Sequence, residues 1–517
     1  MLSFTDMGYF TDKSRNTIIL FSLLIIGSFY LLYHCFYTAF WYDEAYTINL
    51  VRHSFSQLWY ITANDVHPPL YYALLKVYTY FAGQSVVALR IFSYLPVIGC
   101  LIIGCTLIRK DFGDKTAILF LSIFILLPVT QYIASEIRMY SLAMLFVLGS
   151  AIYSYRSFNN FSKFNLIKLT LFSLAAAYTH YYALMAVFYI YAILFTVLFI
   201  YKRDKSLQFL GIGILFIVGY LPWLIHIPAQ MGQVSDEYWI NQSRLKDLVI
   251  YIYYPFSTEL DLVGTGTPLK TFAIELTLTA ILLSIVCYTV VDSSQGSHKE
   301  PPPKSIFGKL IFAVFILVIS SVIVYSFAVK PVFVTRYMNP LMALFILFIA
   351  IHLSLLNYDK TINKVIVSLF FVILGFLSVN RFILQKETND RDQWVQNNII
   401  HFAEQRVDSN TVFLYSDTRS FAIAFGNLLY PDHKHYQRIR LTKKYYKQYL
   451  KNFNCIPIFD FKEVDPSYKN ALIIKNVDKD DSFMNVTADS IEVSQYFEIV
   501  DRADFKGHVV YQLRRKE

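Results

Sequence analysis

The chain has 517 residues, of which 56% are hydrophobic and only 16% charged. Soluble domains carry about a quarter of their residues charged, so this balance excludes an ordinary soluble enzyme and predicts a polytopic membrane protein. The net charge of +9 would indicate nucleic acid only if it gathered on one soluble face.

In chain order, residues 1–15 are polar, and the apolar run that follows is too long for a cleavable leader. Runs able to span, which takes about 20 apolar residues, fall near 16–38, 86–108, 115–133, 137–154, 165–180, 182–201, 207–226, 272–291, 307–329, 337–357 and 363–384. They predict about eleven spans. One set of connections carries Lys13, Arg15, Arg109, Lys110, Lys115, Arg156, Lys202, Arg203, Lys304 and Lys360 among others. The opposite set carries roughly half as many basic residues, Arg52, Lys76, Arg138, Arg244, Lys246, Lys270, Lys330 and Arg336, across longer loops. The richer set is expected in the cytoplasm with the amino terminus, and an odd number of spans places everything after 385 outside. The positive charge is therefore topology, and no nucleic-acid partner is expected.

The outer connections hold the unusual residues. In the first, near 39–85, FWYDEAYT (40–47) sets Asp43 beside Glu44; adjacent helical side chains diverge by about 100°, so one can face inward and the other solvent. NDVHPPLYY (64–72) follows, with Asp65 and His67. Leu70, Ala73, Leu74, Val77 and Phe81 then recur at helical spacing with Lys76 off that face, which predicts a short amphipathic helix along the membrane surface. Pro68 and Pro69 suit its first turn, and Asp65 is placed to cap it. The second outer connection, QYIASEIRMYS (131–141), brings Glu136 and Arg138, and a later one, KPVFVTRYMNP (330–340), brings Lys330 and Arg336. Carboxylates suit a general base, and arginines suit a phosphate at the lipid surface. Each has a plainer reading: Arg138 pairing with Glu136, Arg336 snorkelling to headgroups. Thr179-His180 precedes Tyr181 and Tyr182, aromatics that a membrane interface favours in any case.

Beyond 385 the hydropathy drops. An amphipathic helix is expected at 391–406 and another helix at 418–430. Strands are expected at TVFLYSD, CIPIFDF, ALIIKN, FEIVD and HVVYQL. The expected organisation is an all-α membrane module over 1–384 and an exported α/β domain over 385–517. Four of the five cysteines lie in apolar runs, so no disulfide or zinc framework is implied.

Asp65-Val-His-Pro-Pro-Leu70, with the upstream Asp43-Glu44, resembles the protein O-mannosyltransferases and, more broadly, the GT-C type glycosyltransferases that use polyprenyl-phosphate sugars, including the bacterial aminoarabinose transferases. Ala88-Leu89-Arg90, Glu136-x-Arg138-x-Tyr140, Thr179-His180 and Arg336-Tyr337 agree with that resemblance, which covers roughly 16–384. The acid pair continues AYT, where the protein mannosyltransferases have histidine and glycine, and no large trefoil-type insert occurs in the loops. Both departures favour a bacterial relative with a different acceptor. The resemblance implies a polyprenyl-phosphate-linked sugar as donor and a cell-envelope acceptor, glycan, lipid or protein, on the outer face of the cytoplasmic membrane. It implies inversion with Asp43 as general base and Glu136 orienting an arginine or the acceptor. Arg138, Arg336 and Lys330 would then meet the donor phosphate, with Glu44, Asp65, His67, His180 and Tyr181 as further site candidates. Asp43, Glu136, His67 and His180 carry donor atoms for a divalent cation but no diagnostic spacing, so the metal stays open. A transporter or flippase of lipid-linked sugars is the rival class, and internal inverted repeats, its usual mark, are not visible.

Overall fold

The computed structural model describes residues 4–233, 247–258, 269–295, 303–415, 426, 428–438, 454–476, 493–506 and 508–516. Arg244 and Lys246, most of the 293–305 linker and most of the helix expected at 418–430 lie outside the described residues. The chain forms two compact units, residues 1–36, 62–78 and 87–386 in one, and 37–61, 79–86 and 387–517 in the other.

Among the described residues, 8 helices are long and apolar enough to cross a membrane, and a bent pair makes up to 9. The protein is a multi-pass membrane protein. The spans expected at 137–154 and 165–180 become the helices Tyr140–Asn159 and Lys163–Ala177, which fall outside that set. The first carries several serines and tyrosines and Arg156, and the second, at 15 residues, is shorter than the roughly 20 a crossing needs.

In the first unit, Met342–Leu355 is buried along almost its whole length, as its unbroken apolar sequence dictates. The bent pair is Asp114–Leu126 and Pro128–Ser135, which meet at 70°. Gly113 ahead of it adopts φ +92°, a conformation that strains L residues with a side chain. The bend falls at Pro128, which lacks the N–H that a continuing helix would donate.

The surface helix of the first outer connection is Leu70–Ala82. Its outward face shows Leu74, Val77 and Phe81, while Lys76 is 8% exposed and buried on the other side with Tyr71, Tyr72 and Leu75. The prolines do not occupy its first turn. They precede it, and the Pro69 carbonyl accepts the first helical bond from Ala73 N at 3.0 Å. The cap position is thus Pro69, because Asp65 stands too far upstream, in a turn where its N–H donates to Thr62 O.

In the second unit, the chain entering the helix Tyr42–Arg52 is fastened to residues 390–396. Tyr37 Oη donates to Asp390 Oδ1 at 2.7 Å, Thr38 N donates to Gln393 Oε1 at 2.7 Å, and Gln396 exchanges bonds with both backbone groups of Phe40. The expected span 363–384 and amphipathic helix 391–406 are one uninterrupted helix, Thr361–Glu404, of 44 residues. Nothing between Leu377 and Glu404 is glycine or proline, so no breaker separates the two patterns. The unit's sheet has β1 (Thr411–Tyr415), β2 (His435–Arg438), β3 (Cys455–Ile458), β4 (Asn470–Asn476), β5 (Phe497–Phe505) and β6 (His508–Arg515), in the order β3-β2-β1-β4-β6-β5. The first four are parallel neighbours, and β6 and β5 add antiparallel. Val412, Leu414, Ile458, Phe461, Ile473 and Leu513 form its core.

Candidate active site

The site begins at the bend. Pro128–Ser135 ends with Glu136 in extended conformation, Arg138 N–H donates to the Glu136 carbonyl at 2.7 Å, and the next helix starts at Tyr140. This non-helical stretch carries both charges into the interior, where Glu136 and Arg138 are each 3% exposed. Charged groups so placed need partners and are usually retained for function. Tyr132, one turn earlier, donates to Glu136 Oε1 at 2.6 Å.

Arg138 Nη2 lies 3.0 Å from His67 Nε2. A guanidinium only donates, so Nε2 accepts and the imidazole proton sits on Nδ1. Burial pushes the His67 titration well below the usual histidine value, and Arg138, His180 and Arg336 push it further the same way. Around His67 stand the rings of His180 and Tyr337, each with its centroid 6.2 Å away. His180 caps the helix Tyr181–Tyr201, its Nδ1 accepting from Tyr182 N at 3.1 Å. Tyr140 packs on His180 at 5.6 Å and on Tyr337 at 6.3 Å. Arg336 lies on the 3₁₀ turn Thr335–Leu341, its guanidinium carbon 6.0 Å from the Tyr337 ring centre. Five of the residues singled out in the sequence, His67, Glu136, Arg138, His180 and Arg336, thus share one buried cluster of the first unit.

The cluster also contains residues that the sequence reading missed. Arg381, 3% exposed, donates through Nη1 to Thr258 O at 3.0 Å and sits 5.7 Å over the Tyr132 ring. Glu275 accepts from Thr258 and Ser257, and Tyr254 donates to Asn339 Oδ1 at 2.9 Å. A signal for two of them was present: Arg381 in LSVNRFIL and Glu275 in FAIELTL interrupt runs read only as spans.

Other candidates lie elsewhere. Asp43 and Glu44 belong to the second unit. There Glu44 is buried and accepts the Trp41 N–H at 3.3 Å, closing the first turn of its own helix, while Asp43 is half-buried. Asp65 and Lys330 are half-buried. Lys330 stands in a loop that Tyr182 Oη holds by donating to Val332 O at 3.2 Å. Tyr181 turns its hydroxyl to Gln230 and Trp223, in a network that also binds the carbonyls of Thr62 and Ala63. Among the described residues, no three of His, Cys, Asp and Glu gather as a metal-binding group, and His67 Nε2 is occupied by Arg138.

No family model and no curated protein matches the chain. Among solved structures, it is similar to ArnT from Cupriavidus metallidurans crystallised with undecaprenyl phosphate, with TM-score 0.55 over 96% of this chain and 97% of that one at 10% identity. The chain has a GT-C fold. The same enzyme in its apo state aligns with TM-score 0.46 over 95% of this chain and 97% of that one, at 11% identity. The fold shared with the lipid-bound structure agrees with the resemblance carried by Asp65-Val-His-Pro-Pro-Leu70.

Proposed function

We propose that the protein is a membrane glycosyltransferase that moves a sugar from a polyprenyl-phosphate donor to a hydroxyl of a cell-envelope acceptor. The observation that carries the proposal is the buried cluster. Among its described residues, Arg138, Arg336 and Arg381 face two carboxylates, Glu136 and Glu275, while His67 adds no charge. Three guanidiniums gathered in one buried cluster suit a lipid phosphate. The similar ArnT structure holds undecaprenyl phosphate, a donor fragment of this chemical class.

In this reading the acceptor oxygen attacks the anomeric carbon, the bond from that carbon to the phosphate oxygen breaks, and polyprenyl phosphate leaves with the electron pair. Displacement in one step inverts the anomeric configuration. Asp43 takes the acceptor proton, a role for which its half-buried carboxylate and its place in the DE pair are the support. Arg138 and Arg336 stabilise the charge that develops on the leaving phosphate, with Lys330 in reserve. Glu136, held by Tyr132, orients an arginine or the acceptor. The basic-residue asymmetry supports a cytoplasmic amino terminus, an outward-facing site and an exported 385–517 segment in the cytoplasmic membrane.

The test is acceptor-dependent release of polyprenyl phosphate from a panel of polyprenyl-phosphate sugars by purified protein in lipid nanodiscs. Release with one sugar and one envelope acceptor supports the reading. Movement of the intact lipid-linked sugar between vesicle leaflets, with no release, would make the protein a flippase.

A further inference from the structure

Tyr140 is 1% exposed, and its hydroxyl has no hydrogen-bond partner among the described residues. A buried hydroxyl left unmatched is costly, and Tyr hydroxyls inside proteins usually find a partner. The ring is not loosely held. It packs on His180 and on Tyr337, with centroids at 5.6 and 6.3 Å, so the direction of the hydroxyl is fixed by its neighbours. The oxygen lies within electrostatic reach of Arg336, Arg138 and Glu136. It belongs to the same cluster as both guanidiniums assigned to the donor phosphate, since Tyr337 beside it neighbours Arg336 and His67 beside its partner His180 holds Arg138. It is the first residue of the helix that follows Arg138.

We propose that Tyr140 is a direct ligand of the donor phosphate, its O–H donating to a non-bridging phosphate oxygen between Arg138 and Arg336. This rests on the reading of the chain as a polyprenyl-phosphate sugar transferase. A neutral donor adds something a third cation would not: it fixes the orientation of the tetrahedral phosphate without adding charge for the lipid interior to bear. Hydrogen bonds to charged groups are the strong ones, so its loss is expected to weaken binding by about 10- to 100-fold.

The experiment is Tyr140→Phe in the full chain in nanodiscs, probed with undecaprenyl phosphate alone and with the polyprenyl-phosphate sugar that wild type turns over. Affinity for both should fall by the same factor. The unfolding temperature of the ligand-free variant should be unchanged or higher, because an unmatched buried hydroxyl has been removed. A loss confined to the sugar-bearing lipid would move the contact to the sugar and overturn the assignment. Unchanged affinity for both would overturn it as well. A variant that unfolds at lower temperature, or cannot be purified folded, would show that the hydroxyl serves the fold, which also overturns it. If wild type itself neither binds undecaprenyl phosphate nor transfers sugar, the functional reading fails first, which separates the two outcomes.

Discussion

Arg138 donates to His67 across 3.0 Å, a guanidinium held by an imidazole that its burial keeps uncharged. A carboxylate in the place of His67 would fix the arginine equally well but would also quench its charge. A neutral acceptor positions the cation and leaves its attraction for an anion intact.

The pH dependence follows from the same pair. The folded-state titration of His67 lies well below the usual histidine value, so the unfolded chain binds more protons than the folded one as pH falls below about 6.5. Stability is therefore fully present above that pH and is lost as pH falls, and a protonated ring would also repel Arg138. Thermal unfolding of wild type should drop through mildly acidic pH, and His67→Gln, which keeps an acceptor but cannot titrate, should flatten that slope. A slope identical in both proteins would place the titrating group elsewhere.

The arginines should be visible in binding. Arg138→Ala and Arg336→Ala are each expected to lower both donor affinity and kcat, since a phosphate contact acts in the ground state and the transition state. Affinity for the lipid-linked sugar is measured apart from single-turnover rate. Normal affinity in both variants would make these arginines structural and turn attention to Lys330.

Asp43 and Glu44 should separate cleanly. Asp43→Asn cannot accept a proton, so kcat should fall by about 10²- to 10⁴-fold with donor affinity preserved. Glu44→Ala should instead cost about 0.5–2 kcal/mol of stability, because Glu44 is the buried acceptor of the Trp41 N–H at the start of its helix. Near wild-type turnover in Asp43→Asn would shift the base to Glu136.

Topology has a direct check. Ser56 and Ser409 are exposed, and cysteines introduced there, with Cys287 replaced by serine, should react with a membrane-impermeant reagent on intact cells. Labelling that appears only after lysis would invert the protein and move its site to the cytoplasm.

In the second unit, His435 is fully satisfied as a neutral ring. Its Nε2–H donates to Tyr430 O and its Nδ1 accepts from Tyr415 Oη, both at 2.9 Å. Burial pushes its pKa down to about 4, so this ring should take up to about 3 kcal/mol from stability as pH falls from about 6.5 to 4 and nothing further below. Unfolding followed across this window should fall less steeply in His435→Gln than in wild type, the remaining slope belonging to His67; equal slopes would clear His435 of the effect.

Much of this organisation is legible in the sequence because strong, local signals carry it. Long apolar runs give most of the spans, and the strands TVFLY, CIPI and ALIIKN appear where alternation and β-branched residues predict them. β2 escaped because HYQR is short and polar, and owes its strandhood to the parallel neighbours β1 and β3 rather than to its own composition. Within the cluster, Glu136 and Arg138 were readable as charges at a loop. Arg381 and Glu275 also show as lone charges in apolar runs, but a single charge barely lowers the average of such a run, and nothing local ties it to the other two. Only the fold reveals that the Arg381 guanidinium lies over Tyr132, which holds Glu136.

The 70° break at Pro128 separates two jobs that an unbroken helix would couple. In a continuous helix, adding or deleting one residue turns everything beyond it by about 100°. Here the break lets the short piece after the proline take its direction from its own packing rather than from the phase of the helix before it. An insertion at Leu127 should therefore disturb the cluster less than one between Pro128 and Tyr140, while substitutions in the buried Asp114–Leu126 helix should destabilise as core changes do.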